Sequence, residues 1–163
     1  NEPSTLTCGS TRPEALAKNC TLDIMADAWL PPACYNSTSA SLSLDPSTIL
    51  SNLTGAGIFD WYRDENHTLP LPLAQISAID ELRAYTWQVY HLAHCMYSWT
   101  TTVRAMNRVR EGERDVWIDQ RLLSEEHVHH CAMVLAGNGG EEGVLRGTQV
   151  EVRFTLGTCV RLD

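Results

Sequence analysis

The chain has 163 residues, 44% of them hydrophobic and 20% charged, enough for a single domain (1–163) with a real core. Its net charge of −8, with Lys18 the one lysine beside eleven arginines, excludes nucleic acid as a partner, because phosphate binding needs a net basic face. No apolar run approaches the ~20 residues that span a bilayer.

Ser4-Thr5-Leu6-Thr7-Cys8 reads as a short edge strand. Thr11-Arg12-Pro13-Glu14 fits a capping box with proline in the first turn, which predicts a short helix over Pro13–Lys18. Trp29-Leu30-Pro31-Pro32 is expected to be extended, since each proline pushes its predecessor out of the helical region. Residues 35–44, rich in serine and threonine, read as a loop. Asp45-Pro46 reads as a helix start, with the helix running to about Leu53. Ile58-Phe59-Asp60-Trp61-Tyr62 is an aromatic cluster.

From Ala74 to about Arg110 there is no proline or glycine. Apolar residues at Ile76, Ile79, Leu82, Trp87, Val89, Tyr90, Met96, Trp99, Val103 and Met106 predict one long helix with a bend. Its end carries Arg104, Arg108, Arg110 and Arg114 among Glu111, Glu113 and Asp115, which is a solvated helix end. A second helix is expected from about Ile118 or Ser124 to Ala136, stopped by Gly137-Asn138-Gly139-Gly140. The short connection suits an antiparallel hairpin. Val150, Val152, Phe154 and Leu156 alternate with polar residues and predict a half-buried strand, with residues 4–8 a candidate partner. The expected fold class is therefore mainly α with a small β element: an antiparallel helix pair, a short C-terminal strand and a disulfide-stapled N-terminal region.

Compartment is legible in two signals. Asn19, Asn36, Asn52 and Asn66 each open an Asn-x-Ser/Thr sequon without proline, which predicts a glycosylated surface. The six cysteines make an even count, as an oxidising lumen favours. Both point to the secretory pathway or the extracellular face.

The chemistry lies in a pattern that occurs twice. His91-Leu92-Ala93-His94-Cys95 and His127-Val128-His129-His130-Cys131 both read His-x-x-His-Cys, 36 residues apart. On a helix, positions i, i+3 and i+4 share a face, so each copy presents two imidazoles and a sulfur in one patch. Two facing patches would converge on a transition metal, and four imidazoles packed without an ion would leave buried nitrogens needing partners. A structural zinc site favours short Cys-x-x-Cys spacings, which are absent. The His-Glu-x-x-His protease motif is also absent. A di-iron bundle needs two Glu-x-x-His units; Glu126-x-x-His129 is one, but the other helix offers only Gln88-x-x-His91. A six-imidazole centre would have to recruit His67 from a polar loop and His129 from a different helical angle.

What remains is a site of His91, His94, His127 and His130, suited to copper. Cys95 and Cys131 are either further ligands or a disulfide. In the latter case Cys8, Cys20, Cys34 and Cys159 form two more bridges, among 15 formal pairings of six. His129 and Glu126 are candidates to brace the ligands from behind. Two rival readings are a non-catalytic, metal-stabilised binding module and a plain disulfide-stapled domain.

The doubled motif resembles the UstYa-like family of fungal secondary-metabolite oxidases. The likeness extends to Cys8-Gly9, Glu14-Ala15, Cys20, Trp29-Leu30-Pro31-Pro32, Cys34 and Cys159. It implies a copper-dependent oxidase with a membrane anchor preceding a lumenal domain, with dioxygen as the expected co-substrate and hydrogen taken from a bound C–H, N–H or phenol. The implied substrates are peptides or related metabolites, and the implied outcomes are oxidative cyclisation, dehydrogenation, hydroxylation or halogenation. It also implies pairing with a second copy or a homologue. After the second motif, Ala132-Met133-Val134-Leu135-Ala136 lacks the Leu-Arg pair that many members carry.

Overall fold

A computed structural model describes residues 4–45, 59–137 and 147–163. Helix and 3-10 turn make up 44% of these residues and strand 22%, which overturns the mainly α expectation: the architecture is mixed, with three small sheets. Strand β1 (Thr5–Thr7) is followed by α1 (Arg12–Ala17), β2 (Thr21–Asp23), β3 (Ala28–Leu30) and α2 (Ser37–Leu44). A 3-10 turn (Leu73–Ala78) then precedes β4 (Arg83–Trp87) and the long α3 (Gln88–Arg110). Strand β5 (Trp117–Asp119), a 3-10 turn (Gln120–Leu123) and α4 (Glu125–Gly137) complete the middle. Strands β6 (Gln149–Arg153), β7 (Thr155–Leu156) and β8 (Thr158–Arg161) close the chain.

The N-terminal expectations hold. Thr11 caps α1 by accepting from the Glu14 amide, and the Glu14 carboxylate accepts from the Ser10 amide. Residues 4–8 do form an edge strand, but β1 pairs with β8, Thr5 opposite Val160, rather than with β6. Trp29 and Leu30 are extended as expected and lie buried in β3.

Three expectations change. The expected loop over residues 35–44 is helix α2, because the Asn36 side chain accepts from the Ser39 amide and caps it. The helix expected from Asp45 to Leu53 falls on residues 46–58, outside the described residues, as does Asn52. The single helix expected from Ala74 is instead a 3-10 turn, a strand and then α3. Leu82 sits at φ 51°, which no helix continues through. Beyond it Ala84 and Thr86 point inward while Arg83 is exposed. Tyr, Thr and Trp favour this pleated surface, and β6 lies along it, Ala84 opposite Val152.

One large core packs α3 against the strands. Tyr90 meets Trp61 and Phe59 edge-on at 4.7 and 5.6 Å between centroids, with Met25, Trp29 and Phe154 around them. Three disulfides staple the chain, Cys8–Cys20, Cys34–Cys159 and Cys95–Cys131. No helix of the described residues is long and apolar enough to cross a membrane. The described sequon residues Asn19, Asn36 and Asn66 are all exposed, as glycosylation requires.

Candidate metal centre

Helix α3 buries one stripe against the core, and His91, His94, Cys95 and Ser98 lie along its edge facing α4. Helix α4 begins with Glu125 and Glu126 at its positive end, and the Ser124 hydroxyl accepts from the His127 amide at 3.4 Å. The two helices meet at Cys95–Cys131, where their Cα atoms are 5.2 Å apart. This contact places the doubled motif face to face.

The four imidazoles meet as two pairs. His91 Nε2 lies 3.0 Å from His130 Nε2, and His94 Nε2 lies 3.4 Å from His127 Nε2. Two nitrogens bound to one ion at about 2.0–2.1 Å, roughly 90–110° apart, are themselves about 2.9–3.4 Å apart. The ring spacing therefore fits metal ligation. His94 is buried, His91 and His127 are half-buried, and His130 is exposed, so the pairs run from the interior to solvent.

The tautomer of His94 is fixed by its surroundings. Its Nδ1 lies 2.7 Å from the Met25 carbonyl, which can only accept, so Nδ1 carries the proton and Nε2 of the neutral ring is bare. Burial, reinforced by the neighbouring His94 and His130, holds His91 down to about 4, so its ring is neutral at physiological pH. Burial likewise lowers His127, with His94 and Arg121 adding to it.

The turn between β2 and β3 forms the floor, and no residue pattern in the chain announces it. Asp23 Oδ1 accepts from the Met25 and Ala26 amides and its Oδ2 accepts from the Tyr97 hydroxyl at 2.7 Å. The Tyr90 hydroxyl donates to the Ile24 carbonyl at 2.6 Å. Arg121 donates to the Ala26 carbonyl at 2.6 Å and pairs with Asp27 at 2.5 Å and Asp119 at 3.0 Å. Burial alone would lower the Arg121 guanidinium; Asp27 and Asp119 outweigh it and hold it charged. Asp27 Oδ2 faces His94 Nε2 at 3.7 Å.

Sulfur is present but spent. His94, His127 and Cys131 bring ligand atoms within 4.8 Å of one another, yet Cys131 is bonded to Cys95. A thiolate, not a disulfide sulfur, is the strong ligand, so Cys95 and Cys131 join the helices rather than hold an ion. Glu126 and His129 lie on the exposed face of α4, with no hydrogen bond or ion pair to the imidazoles among the described residues. His67 stacks on Tyr62 at 4.4 Å and meets Trp87 edge-on at 4.2 Å.

Beside the imidazoles runs an apolar groove of about 380 Å³. Trp99, Val103 and Met106 of α3 and Val128, Ala132 and Leu135 of α4 line it, and His127 and the disulfide sit in its wall. Among the described residues no charged side chain lines it. Trp99, at 68% exposure, stands open to solvent.

No family model matches the chain, and no solved structure does. Two curated proteins of Diaporthe leptostromiformis are similar, phomopsin biosynthesis cluster protein B and phomopsin biosynthesis cluster protein B′. Each is 26% identical over 133 residues, which is 79% of this chain and 36% of the relative. The chain thus spans about a third of the length of the curated relatives it matches.

Proposed function

We propose that this chain is the metal-binding domain of a copper-dependent oxidase of the UstYa-like type, acting in fungal secondary-metabolite biosynthesis in the secretory lumen or outside the cell. The observation that carries the reading is the meeting of the doubled motif as two Nε2 pairs at 3.0 and 3.4 Å. The similarity to two proteins named for phomopsin biosynthesis supports the pathway class. The three disulfides support the oxidising compartment.

The donor set fits copper. All six cysteines are in disulfides, which removes the thiolates of a structural zinc site and leaves imidazole nitrogen. Bound there, copper supplies one-electron redox chemistry with dioxygen as co-substrate. The chain itself does the rest. Met25 holds His94 in the tautomer whose Nε2 is free to ligate. Burial keeps His91 unprotonated. The apolar groove takes an uncharged part of the metabolite and sets it beside His127. The outcome is oxidation of that metabolite with loss of hydrogen; its bound position selects among cyclisation, dehydrogenation, hydroxylation and halogenation.

A purely structural ion is the less favoured reading. Cys95–Cys131 already joins the helices, and Tyr90, Tyr97 and Arg121 already fasten the floor. Metal analysis of untagged protein, with oxygen uptake under a mild reductant, tests the proposal. Wild type is expected to bind copper and consume oxygen, and His127→Ala to do neither while keeping its circular dichroism spectrum. Copper bound without oxygen uptake would support the structural ion instead.

A further inference from the structure

We propose that His91 and His130 form a second, weaker ion site at the solvent-facing end of the helix pair, separate from the ion held by His94 and His127. The inference rests on the copper reading above and divides its four imidazoles between two ions of unequal affinity.

Reach is the first observation. Nitrogens bonded to one ion at about 2.0–2.1 Å are at most about 4.2 Å apart, even on opposite sides of it. His94, His127 and Cys131 bring ligand atoms within 4.8 Å of one another, and among the described residues no such group takes in His91 or His130. Each of these two therefore lies more than 4.8 Å from at least one ligand nitrogen of the inner pair. An ion bonded to both His94 and His127 is out of bonding reach of both.

The outer pair has a ligand geometry of its own. His91 Nε2 and His130 Nε2 are 3.0 Å apart, the separation of two imidazole nitrogens sharing one ion at close to a right angle. One ring comes from each helix, and their centroids are 5.1 Å apart. The His91 ring stands 6.3 Å from that of His94, one helical turn along α3. Two ions therefore fit side by side along the helix contact.

The surroundings rank the two sites. His94 is buried, and its Nδ1 is hydrogen-bonded to the Met25 carbonyl at 2.7 Å, which fixes the ring. His91 is half-buried and His130 exposed, and among the described residues neither has a hydrogen bond besides the one to the other. A ligand imidazole braced by an outer partner typically binds 10–100-fold more tightly. The outer ion is accordingly held at least about tenfold more weakly and is lost on desalting, while the inner ion stays.

Counting bound copper in the full chain tests this, first at dialysis equilibrium against excess Cu(II) and again after desalting. Wild type is expected to hold two ions at equilibrium and one after desalting. The double variant His91→Gln, His130→Gln is expected to hold one under both conditions, with an affinity within about threefold of the tight wild-type site. The wild-type Cu(II) paramagnetic resonance signal is expected to broaden as the second equivalent binds, through coupling of neighbouring spins. If wild type holds a single ion against excess Cu(II), the 3.0 Å contact is a hydrogen bond between imidazoles and the proposal is overturned. It is equally overturned if the double variant still holds two ions, or if it loses the tight ion while keeping its circular dichroism spectrum. Wild-type protein that binds no copper would instead remove the copper reading itself.

Discussion

At the residue scale, the motif histidines carry unequal structural duties. His94 is buried and hydrogen-bonded to Met25, whereas His127 is half-buried and faces its partner across the helix contact. His94→Ala is therefore expected to cost both copper and about 1–3 kcal/mol of stability, because it orphans a buried carbonyl. His127→Ala is expected to cost copper alone, with a urea midpoint close to wild type. Acid sensitivity follows from His91. In the unfolded chain its ring takes a proton near 6.5, but in the native protein only near 4. Between those values the unfolded state binds more protons, so metal-free protein loses stability as pH falls from about 6.5 to 4 and loses no more from this group below that. His127 is shifted the same way and adds to the slope. Urea titrations of metal-free wild type and His91→Gln across this range check it: the variant is expected to show the shallower dependence, and equal slopes would contradict the assignment.

At the element scale, the helix pair was legible and its floor was not. The i, i+3, i+4 spacing in both copies, and Gly137 at the end of α4, located the histidine-bearing faces from residue types alone. Strand β4 was hidden because Ile76, Ile79 and Leu82 continue a helical spacing across a break that only the backbone at Leu82 reveals. The turn over Asp23–Asp27 was hidden for another reason. Three of its contributions are main-chain carbonyls, Ile24 to Tyr90, Met25 to His94 and Ala26 to Arg121, and a carbonyl carries no residue signature. The partners lie 66, 69 and 95 positions apart, beyond any local pattern. The Cys95–Cys131 bridge closes a separation of 36 residues. Replacing both cysteines by alanine is expected to lower stability by about 4 kcal/mol, the loop-closure estimate for that length, and to loosen copper binding by separating the helices. Thiol titration of denatured wild type is expected to find no free sulfhydryl; two free thiols would return Cys95 and Cys131 to the ligand set.

At the scale of the whole molecule, three small sheets and three disulfides fix a scaffold against which two helices are pressed. The Cys34–Cys159 bridge ties positions 125 residues apart, so the N-terminal region and the last strand move as one with the core. Such a scaffold makes the site largely preformed. Copper is then expected to stabilise the folded chain by mass action, about 2.7 kcal/mol at a free concentration a hundredfold above Kd, without a change in far-ultraviolet circular dichroism. A large spectral change on loading would mean that the ion organises the helices itself. The claim beneath all of this is that imidazoles of both motif copies hold one metal. Paramagnetic resonance of Cu(II)-loaded protein measures it most directly. Hyperfine structure from several equivalent nitrogens in wild type, lost with the protein-bound copper signal in His94→Ala and in His127→Ala alike, is the predicted result. A spectrum with one nitrogen or none, unchanged by either substitution, would contradict it.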